Sequence, residues 1–199
     1  SLYIVKEKKM RIVAGKFRSR VIEAVPGLNT RPTLDKVKEA VYSMIGPYFE
    51  GGSMLDLFAG SGNMGIEALS RGFEHVIFVD KNYAAIQTIN KNCLNLKIKD
   101  FCDIWKMDYK TALNQCALNH KKFNLIYLDP PYAKQKIDEI LHFIENYNLL
   151  EENGRVICES LKEDEFQESY GYIKKVKESV YGITRITIYK KTDQKEEMK

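Results

Sequence analysis

No stretch of this 199-residue chain is apolar for long enough to cross a membrane. Runs such as 55–60 or 126–128 are strand-length, well short of the ~20 residues a spanning helix needs. No apolar signal core opens the chain, which reads as a cytoplasmic rather than an exported protein. Cys93, Cys102, Cys116 and Cys158 are spaced neither like a zinc site nor like a disulfide framework, so they read as reduced thiols. His75, His120 and His142 have no Cys or acid partner at metal spacing, and no metal is expected. Internal repeats and low-complexity linkers are absent too. What remains is 44% hydrophobic and 29% charged, which excludes a disordered chain and suits one domain with a real core, taken here as a monomer.

The net charge of +4 is small, but it is unevenly placed. Residues 1–38 hold ten Lys/Arg against three acids, and the remainder is slightly acidic. A basic arm on an acidic body suits a polyanion such as RNA, although a solvated basic edge explains the charge equally well. Residues 1–9 read poorly as structure, and Met10 begins a cleaner pattern, as a natural start after cloning residues would. Residues 11–25 alternate weakly around Gly15-Lys16 and suggest a β-hairpin carrying Arg11, Lys16, Arg18 and Arg20. Pro26-Gly27-Leu28-Asn29 is turn chemistry. Thr33 can cap a helix whose apolar face is Val37, Ala40, Val41, Met44 and Ile45, stopped by Gly46-Pro47. The expected division is an extension at 10–50, a main domain at 51–191 and a flexible tail at 192–199.

From Met54 strands and helices alternate: 54–58 then 64–71, 75–80 then 82–95, 102–107 then 109–119, 123–129 then 136–147, and a strand at 155–159. That rhythm argues an α/β fold, a doubly wound Rossmann-like parallel sheet with helices on both faces. Runs near 170–178 and 183–189, joined near Gly182, read as an antiparallel pair that finishes the sheet.

Two motifs carry chemistry. In Leu55-Asp56-Leu57-Phe58-Ala59-Gly60-Ser61-Gly62-Asn63-Met64-Gly65 a buried strand enters a Gly-x-Gly-x-x-Gly turn and a helix follows. The glycines allow a tight turn and close approach of a ligand. Asp80, followed by Lys81, closes the second strand 20 residues past Gly60, where a carboxylate can accept from ribose hydroxyls. NAD, FAD and S-adenosylmethionine (SAM) enzymes all use such a turn. Asp56 tilts the choice towards SAM, because it can meet an ammonium and would repel a pyrophosphate; it could instead bond loop amides. Asp108, after the third strand, can accept from an adenine amine or cap the next helix. The candidate cofactor residues are thus Asp56, Phe58, Ala59, Gly60, Ser61, Gly62, Gly65, Asp80, Lys81 and Asp108.

The second motif is Asp129-Pro130-Pro131-Tyr132, after the fourth strand of the series. First and fourth strands lie side by side at the switch point of a doubly wound sheet, so Asp129 lands beside the glycine turn. The run resembles the [DNS]PP[YFW] motif of SAM-dependent amino-methyltransferases. An aromatic amine is a poor nucleophile, since its lone pair is delocalised into the ring. Asp129, helped by the Pro130 carbonyl, can accept from the NH2 and free that pair. The prolines stiffen the turn, and Tyr132 offers a face for a planar base.

Taken together, Met10-Arg11-Ile12-Val13-Ala14-Gly15, Thr30-Arg31-Pro32-Thr33 with Asp35-Lys36-Val37-Lys38-Glu39-Ala40, Asp56 to Gly62 with Gly65 to Gly72, Asp129 to Tyr132 and Tyr181-Gly182 resemble the RsmD-type bacterial 16S ribosomal RNA guanine-N2 methyltransferases. The resemblance runs from about Met10 to Lys190. It implies a seven-stranded SAM-methyltransferase sheet, last strand antiparallel, with an N-terminal hairpin. It also implies SAM as methyl donor, Arg31 and Thr33 beside it, and 16S RNA in assembled or assembling 30S particles, met by the basic hairpin. A DNA amino-methyltransferase would keep the chemistry, but usually carries a larger target-reading region. An NAD oxidoreductase leaves Asp56 and Asp129 idle, and a non-catalytic RNA-binding module would not need Asp129.

Overall fold

The computed structural model describes residues 10–27 and 35–193. Its main sheet has eight strands in the order β5-β4-β3-β6-β7-β10-β9-β8. They are β3 (Ser53–Asp56), β4 (His75–Asp80), β5 (Cys102–Lys106), β6 (Phe123–Leu128), β7 (Leu150–Leu161), β8 (Ser169–Tyr170), β9 (Ile173–Tyr181) and β10 (Thr184–Lys191). Strands β3 to β7 are parallel along the sheet, while β10 runs antiparallel to both β7 and β9. The sheet has one strand more than the seven expected. The extra one is the two-residue β8, which pairs with the start of β9 at Ser169↔Lys174 and Tyr170↔Ile173 and is too short to stand out in sequence.

The central strands are apolar along their length because helices cover both faces. Helices α1 (Asp35–Ile45), α2 (Asn63–Ser70) and α3 (Tyr83–Asn95) enclose one core with Met54, Phe78, Tyr127 and Ile157. Helices α4 (Tyr109–Leu118) and α5 (Ala133–Asn146) enclose the other with Leu55, Ile77, Ile126, Leu128 and Val156. The chain runs outward from β3 through β4 to β5, then returns to lay β6 on the other side of β3. That reversal opens a crevice at the carboxyl ends of β3 and β6.

The N-terminal hairpin is much shorter than the alternation implied. Strands β1 (Met10–Arg11) and β2 (Val21–Ile22) pair over two residues each, Met10↔Ile22 and Arg11↔Val21. The chain does reverse at Gly15-Lys16, where Arg18 N donates to the Gly15 carbonyl (3.2 Å), but several amides around the turn are claimed by α2. Glu67 accepts from Val13 N (3.0 Å) and Ala14 N (3.1 Å), and Ser70 accepts from Lys16 N through its carbonyl (2.9 Å) and Phe17 N through Oγ (3.0 Å). Gly15 sits at φ +87°, where a Cβ would lie 1.8 Å from the Ser70 carbonyl oxygen. Only glycine lets the loop lie this close to α2.

Helix α1 also departs from its expected face. Val37, Val41 and Ile45 are buried, but so are Lys38 and Tyr42, whereas Ala40 and Met44 are half-covered. Lys38 Nζ donates to the Arg11 carbonyl (2.7 Å) and Asn63 Oδ1 (2.8 Å) and lies 3.3 Å from Glu67. Arg71 Nε donates to Glu67 at 2.9 Å, and the Arg71 guanidinium lies 5.1 Å from the centre of the Tyr42 ring. This buried polar knot joins α1, α2 and the hairpin loop. Thr33, the expected cap, lies outside the described residues, as do Arg31 and positions 194–199 of the tail.

Candidate active site at the switch point

The glycine turn is held open by its neighbours. Gly60 (φ +56°) and Gly62 (φ +84°) are both left-handed. A Cβ on Gly60 would meet nothing within 4 Å, so its place borders open space in the crevice. A Cβ on Gly65 would lie 2.4 Å from the Phe78 ring, which identifies this third glycine as the one that lets α2 pack on β4. Asn92, on α3 and unremarkable in sequence, donates to the Ser61 carbonyl (3.0 Å) and exchanges hydrogen bonds with the backbone of Glu23. It therefore ties the turn to the segment after β2.

Acids stand at the ends of four adjacent strands. Asp80 ends β4 and accepts from Gly60 N and Asn82 N, both at 2.9 Å. Asp56 ends β3, is 1% exposed, and accepts from Gly65 N at 3.2 Å. Asp129 follows β6 directly and is half-buried. Glu159 lies near the end of β7, one residue past Cys158, which pairs with Leu128. Its Oε2 accepts from the Tyr127 hydroxyl. Burial pushes the Asp56 carboxyl up to about 7, against the pull of the Gly65 amide and with a push from Asp80. Burial also drives Asp129 well above the usual carboxylate range, and the charges of Glu159 and Asp56 drive it further. Such stacked like charges in a crevice mark a place made for a cation or a proton.

The remaining candidates divide. Phe58 packs on Tyr109 with ring centres 5.4 Å apart, and Lys81 is exposed beside Asp80. Asp108 caps α4 by accepting from Thr111 N at 2.9 Å; that amide bond holds its carboxyl below the ordinary range. Of its two readings in sequence, the cap is the one visible in the fold. Tyr132 is 79% exposed and left-handed at φ 56°, ψ 51°, in front of α5. A non-glycine residue there costs about 1–3 kcal/mol, a strain typical of ligand-binding positions. Pro130 is buried and Pro131 exposed. Among the basic residues, Lys16 and Arg18 are exposed, whereas Arg11 donates to the Ser19 carbonyl (3.1 Å) and Arg20 to the Asn95 carbonyl (3.1 Å). Sequence reasoning passed over Glu159 and Tyr127; an acid and a tyrosine at neighbouring strand ends give a signal only once β6 and β7 are known to be adjacent.

A dinucleotide pyrophosphate would meet Asp56 as a like charge, while a ligand bearing an ammonium and a sulfonium meets it as a partner. With this sheet order the crevice is that of a SAM-dependent methyltransferase, and the open cradle at Gly60 and the buried carboxyl of Asp56 fit that cofactor. Comparison with known proteins narrows the class. Residues 10–190 match the family described as "Conserved hypothetical protein 95", and the chain belongs to that RsmD-type family. It is 47% identical over 182 residues to "Putative rRNA methyltransferase YlbH" of Bacillus subtilis, covering 92% of this chain and 99% of that one. It is 30% identical over 162 residues to "Ribosomal RNA small subunit methyltransferase D" of Haemophilus influenzae, covering 78% and 80%. Among solved structures, a conserved hypothetical protein of Streptococcus pyogenes aligns with a TM-score of 0.74 at 37% identity, covering 79% of this chain and 97% of that one. The solved structure of "Putative methyltransferase yhhF from Escherichia coli" aligns at 0.80 and 25%, covering 94% and 99%.

Proposed function

We propose that the protein transfers the methyl group of SAM to the exocyclic N2 amine of a guanine in small-subunit ribosomal RNA, within assembled or assembling 30S particles. The observation that carries the reading is the place of Asp129-Pro130-Pro131-Tyr132, one strand over from the glycine turn and Asp56. SAM supplies an electrophilic methyl group on sulfur. The residues that would hold it are Asp56 at the ammonium, Gly60 to Gly62 along the chain, Asp80 with Lys81 at the ribose, and Phe58 and Asp108 on the adenine side. Arg31 and Thr33 enter this set by family resemblance alone. Asp129 accepts a hydrogen bond from the guanine amine and turns its lone pair towards the methyl group. Its raised proton affinity also suits it to take the proton that the amine gives up on methylation. Tyr132, exposed and fixed in its strained turn, presents a ring face on which the base stacks.

Incubation of the protein with labelled SAM and unmethylated 30S subunits is expected to yield N2-methylguanosine on nucleoside mass spectrometry. Label confined to duplex DNA would overturn the proposal. In the same assay, reversing the charge at Lys16, Arg18 and Arg20 weakens RNA binding and lowers the salt slope by about one for each phosphate no longer neutralised. Binding of S-adenosylhomocysteine is spared. An unchanged slope would clear the hairpin of RNA binding.

Asp56 makes cofactor binding proton-linked. Its carboxyl titrates near 7 in the free fold against 3.8 in the unfolded chain, so between these values the folded form holds a proton that the unfolded form has lost. Stability therefore declines as pH rises from about 4 to about 7, by up to about 4 kcal/mol. Asp56→Asn is expected to recover much of this at pH 8 and little at pH 4. The same change weakens S-adenosylhomocysteine about 10- to 100-fold, because the ammonium loses its charged partner. Wild-type affinity rises through pH 7 and falls again as the ligand amine deprotonates near 8. Titration calorimetry across pH 5.5–9 reads both limbs; a flat profile would remove Asp56 from the ammonium site.

A further inference from the structure

Guanine differs from the other aminated bases beside the reacting amine. Its ring N1 carries a hydrogen and donates, as the N2 amine does, so the edge shows two donors side by side. Adenine and cytosine show one donor, the amine, next to a ring nitrogen that accepts. A site that methylates guanine N2 can therefore use two acceptors in a row, and such a pair repels the other two bases.

The crevice holds such a pair. Leu128 and Cys158 are register partners on parallel β6 and β7, which sets Asp129 and Glu159 one step further along neighbouring chains. Asp56, Tyr127 and Ile157 form the preceding row across β3, β6 and β7. The Tyr127 hydroxyl, rising from that row, donates to Glu159 Oε2 and fixes the orientation of its carboxylate. Tyr127 is itself 2% exposed, so this support is rigid. Glu159 is half-buried and pairs through its backbone with Ile186 of β10, which makes it part of a three-strand platform rather than of a loop. The charge of Glu159 adds to the upward push on Asp129, in keeping with their neighbouring places at the ends of β6 and β7.

We propose that Glu159, steadied by Tyr127, accepts a hydrogen bond from guanine N1–H while Asp129 accepts from N2, and so selects guanine over adenine and cytosine. This deepens the guanine-N2 reading above and rests on it. Glu159 is then a specificity-determining residue, and Tyr127 a positioning residue that acts through it.

The test uses 2-aminopurine, which keeps the 2-amine but has an accepting N1. The guanine that wild-type protein methylates is first located, and 30S subunits are reconstituted with 16S RNA ligated to carry either guanine or 2-aminopurine there. Wild-type protein is expected to prefer guanine by about a hundredfold or more in kcat/KM. In Glu159→Gln the side-chain amide can rotate to donate to N1, and the preference narrows at least tenfold. S-adenosylhomocysteine affinity stays within about twofold, which reports an intact fold. Tyr127→Phe narrows the preference less. Equal use of both RNAs by wild-type protein, or an equal loss on both in Glu159→Gln, would overturn the role of Glu159 and leave the methylation reading standing. Absence of any guanine-N2 product with wild-type protein would instead overturn the reading on which the inference rests.

Discussion

Replacing Asp129 by alanine is expected to slow methyl transfer about 10²- to 10⁴-fold, the range for removing a positioned proton acceptor. S-adenosylhomocysteine affinity should change by less than about twofold, since none of its proposed contacts lies on β6 or the turn after it. The asymmetry follows from where Asp129 sits. It stands after β6, where the base would enter, and its carboxyl is held well above its ordinary range by burial, by Glu159 and by Asp56. A carboxylate so crowded gains from accepting a proton, which an amine undergoing methylation must release. Asp129→Asn separates two parts of this role. The amide oxygen still accepts a hydrogen bond and orients the amine, but it cannot take the proton. Activity of the asparagine variant should fall between wild type and alanine, and its acid limb in the pH–rate profile should weaken. Single-turnover rates with 30S subunits, beside calorimetric binding of S-adenosylhomocysteine, make the measurement. Turnover near wild type in the alanine variant would put the acceptor elsewhere in the crevice.

The elements that create this site were legible because each leaves a local mark. Apolar runs of strand length, helices of ordinary length and a glycine turn behind an acid specify a doubly wound sheet, and its topology alone brings Asp56 and Asp129 together. What was not legible depends on contacts between distant segments. Lys38 lies among the charges of α1 and Glu67 is the one charged residue of α2, and neither local pattern marks its side chain as buried. Their burial follows because β1 sets the Arg11 carbonyl against Lys38 of α1 and the loop after it brings two bare amides onto Glu67 of α2. The same contact explains why the hairpin is two residues deep: the amides of Val13, Ala14, Lys16 and Phe17 bond to Glu67 and Ser70, while those of Ile12 and Ser19 still bond across the hairpin. Glu159 gains meaning only from the register of β6 against β7. That register slips between Phe123 and Leu125, so counting along the chain does not recover it. Asp108 shows a different limit, since an acid before a helix suits a cap and a ligand equally and only the fold shows the cap in use.

Removing the Glu67 carboxylate, as Glu67→Ala or Glu67→Gln, should be among the most destabilising single changes in the chain. Glu67 is fully buried and serves four donors at once: Val13 N, Ala14 N, Arg71 Nε and the Lys38 ammonium at 3.3 Å. Alanine leaves Arg71 Nε and two amides without their acceptor and takes from Lys38 its buried counter-charge. Glutamine keeps the volume but turns a donor towards Arg71 or Lys38. Arg71 has little in reserve, because its buried Nη2 already finds no hydrogen-bond partner among the described residues. Lys38 is no better placed, since burial already lowers its proton affinity and Glu67 is the leading influence that restores it. Breaking such a buried pair from one side costs about 3–5 kcal/mol. At about 2–4 °C per kcal/mol for a chain of this size, Tm should fall ~6–20 °C. The loss should be local before it is global. The Val13 and Ala14 amides exchange with solvent earliest, because Glu67 is their anchor, and the basic hairpin loses its fixed place over α2. RNA affinity should then fall further than S-adenosylhomocysteine affinity, which depends on Asp56 and the glycine turn. Thermal melts with hydrogen exchange at Val13 and Ala14 test the chain of cause. A Tm within about 2 °C of wild type, with both amides still protected, would mean that the hairpin is held by its apolar contacts through Met10, Ile12 and Ile22 rather than by the buried charges.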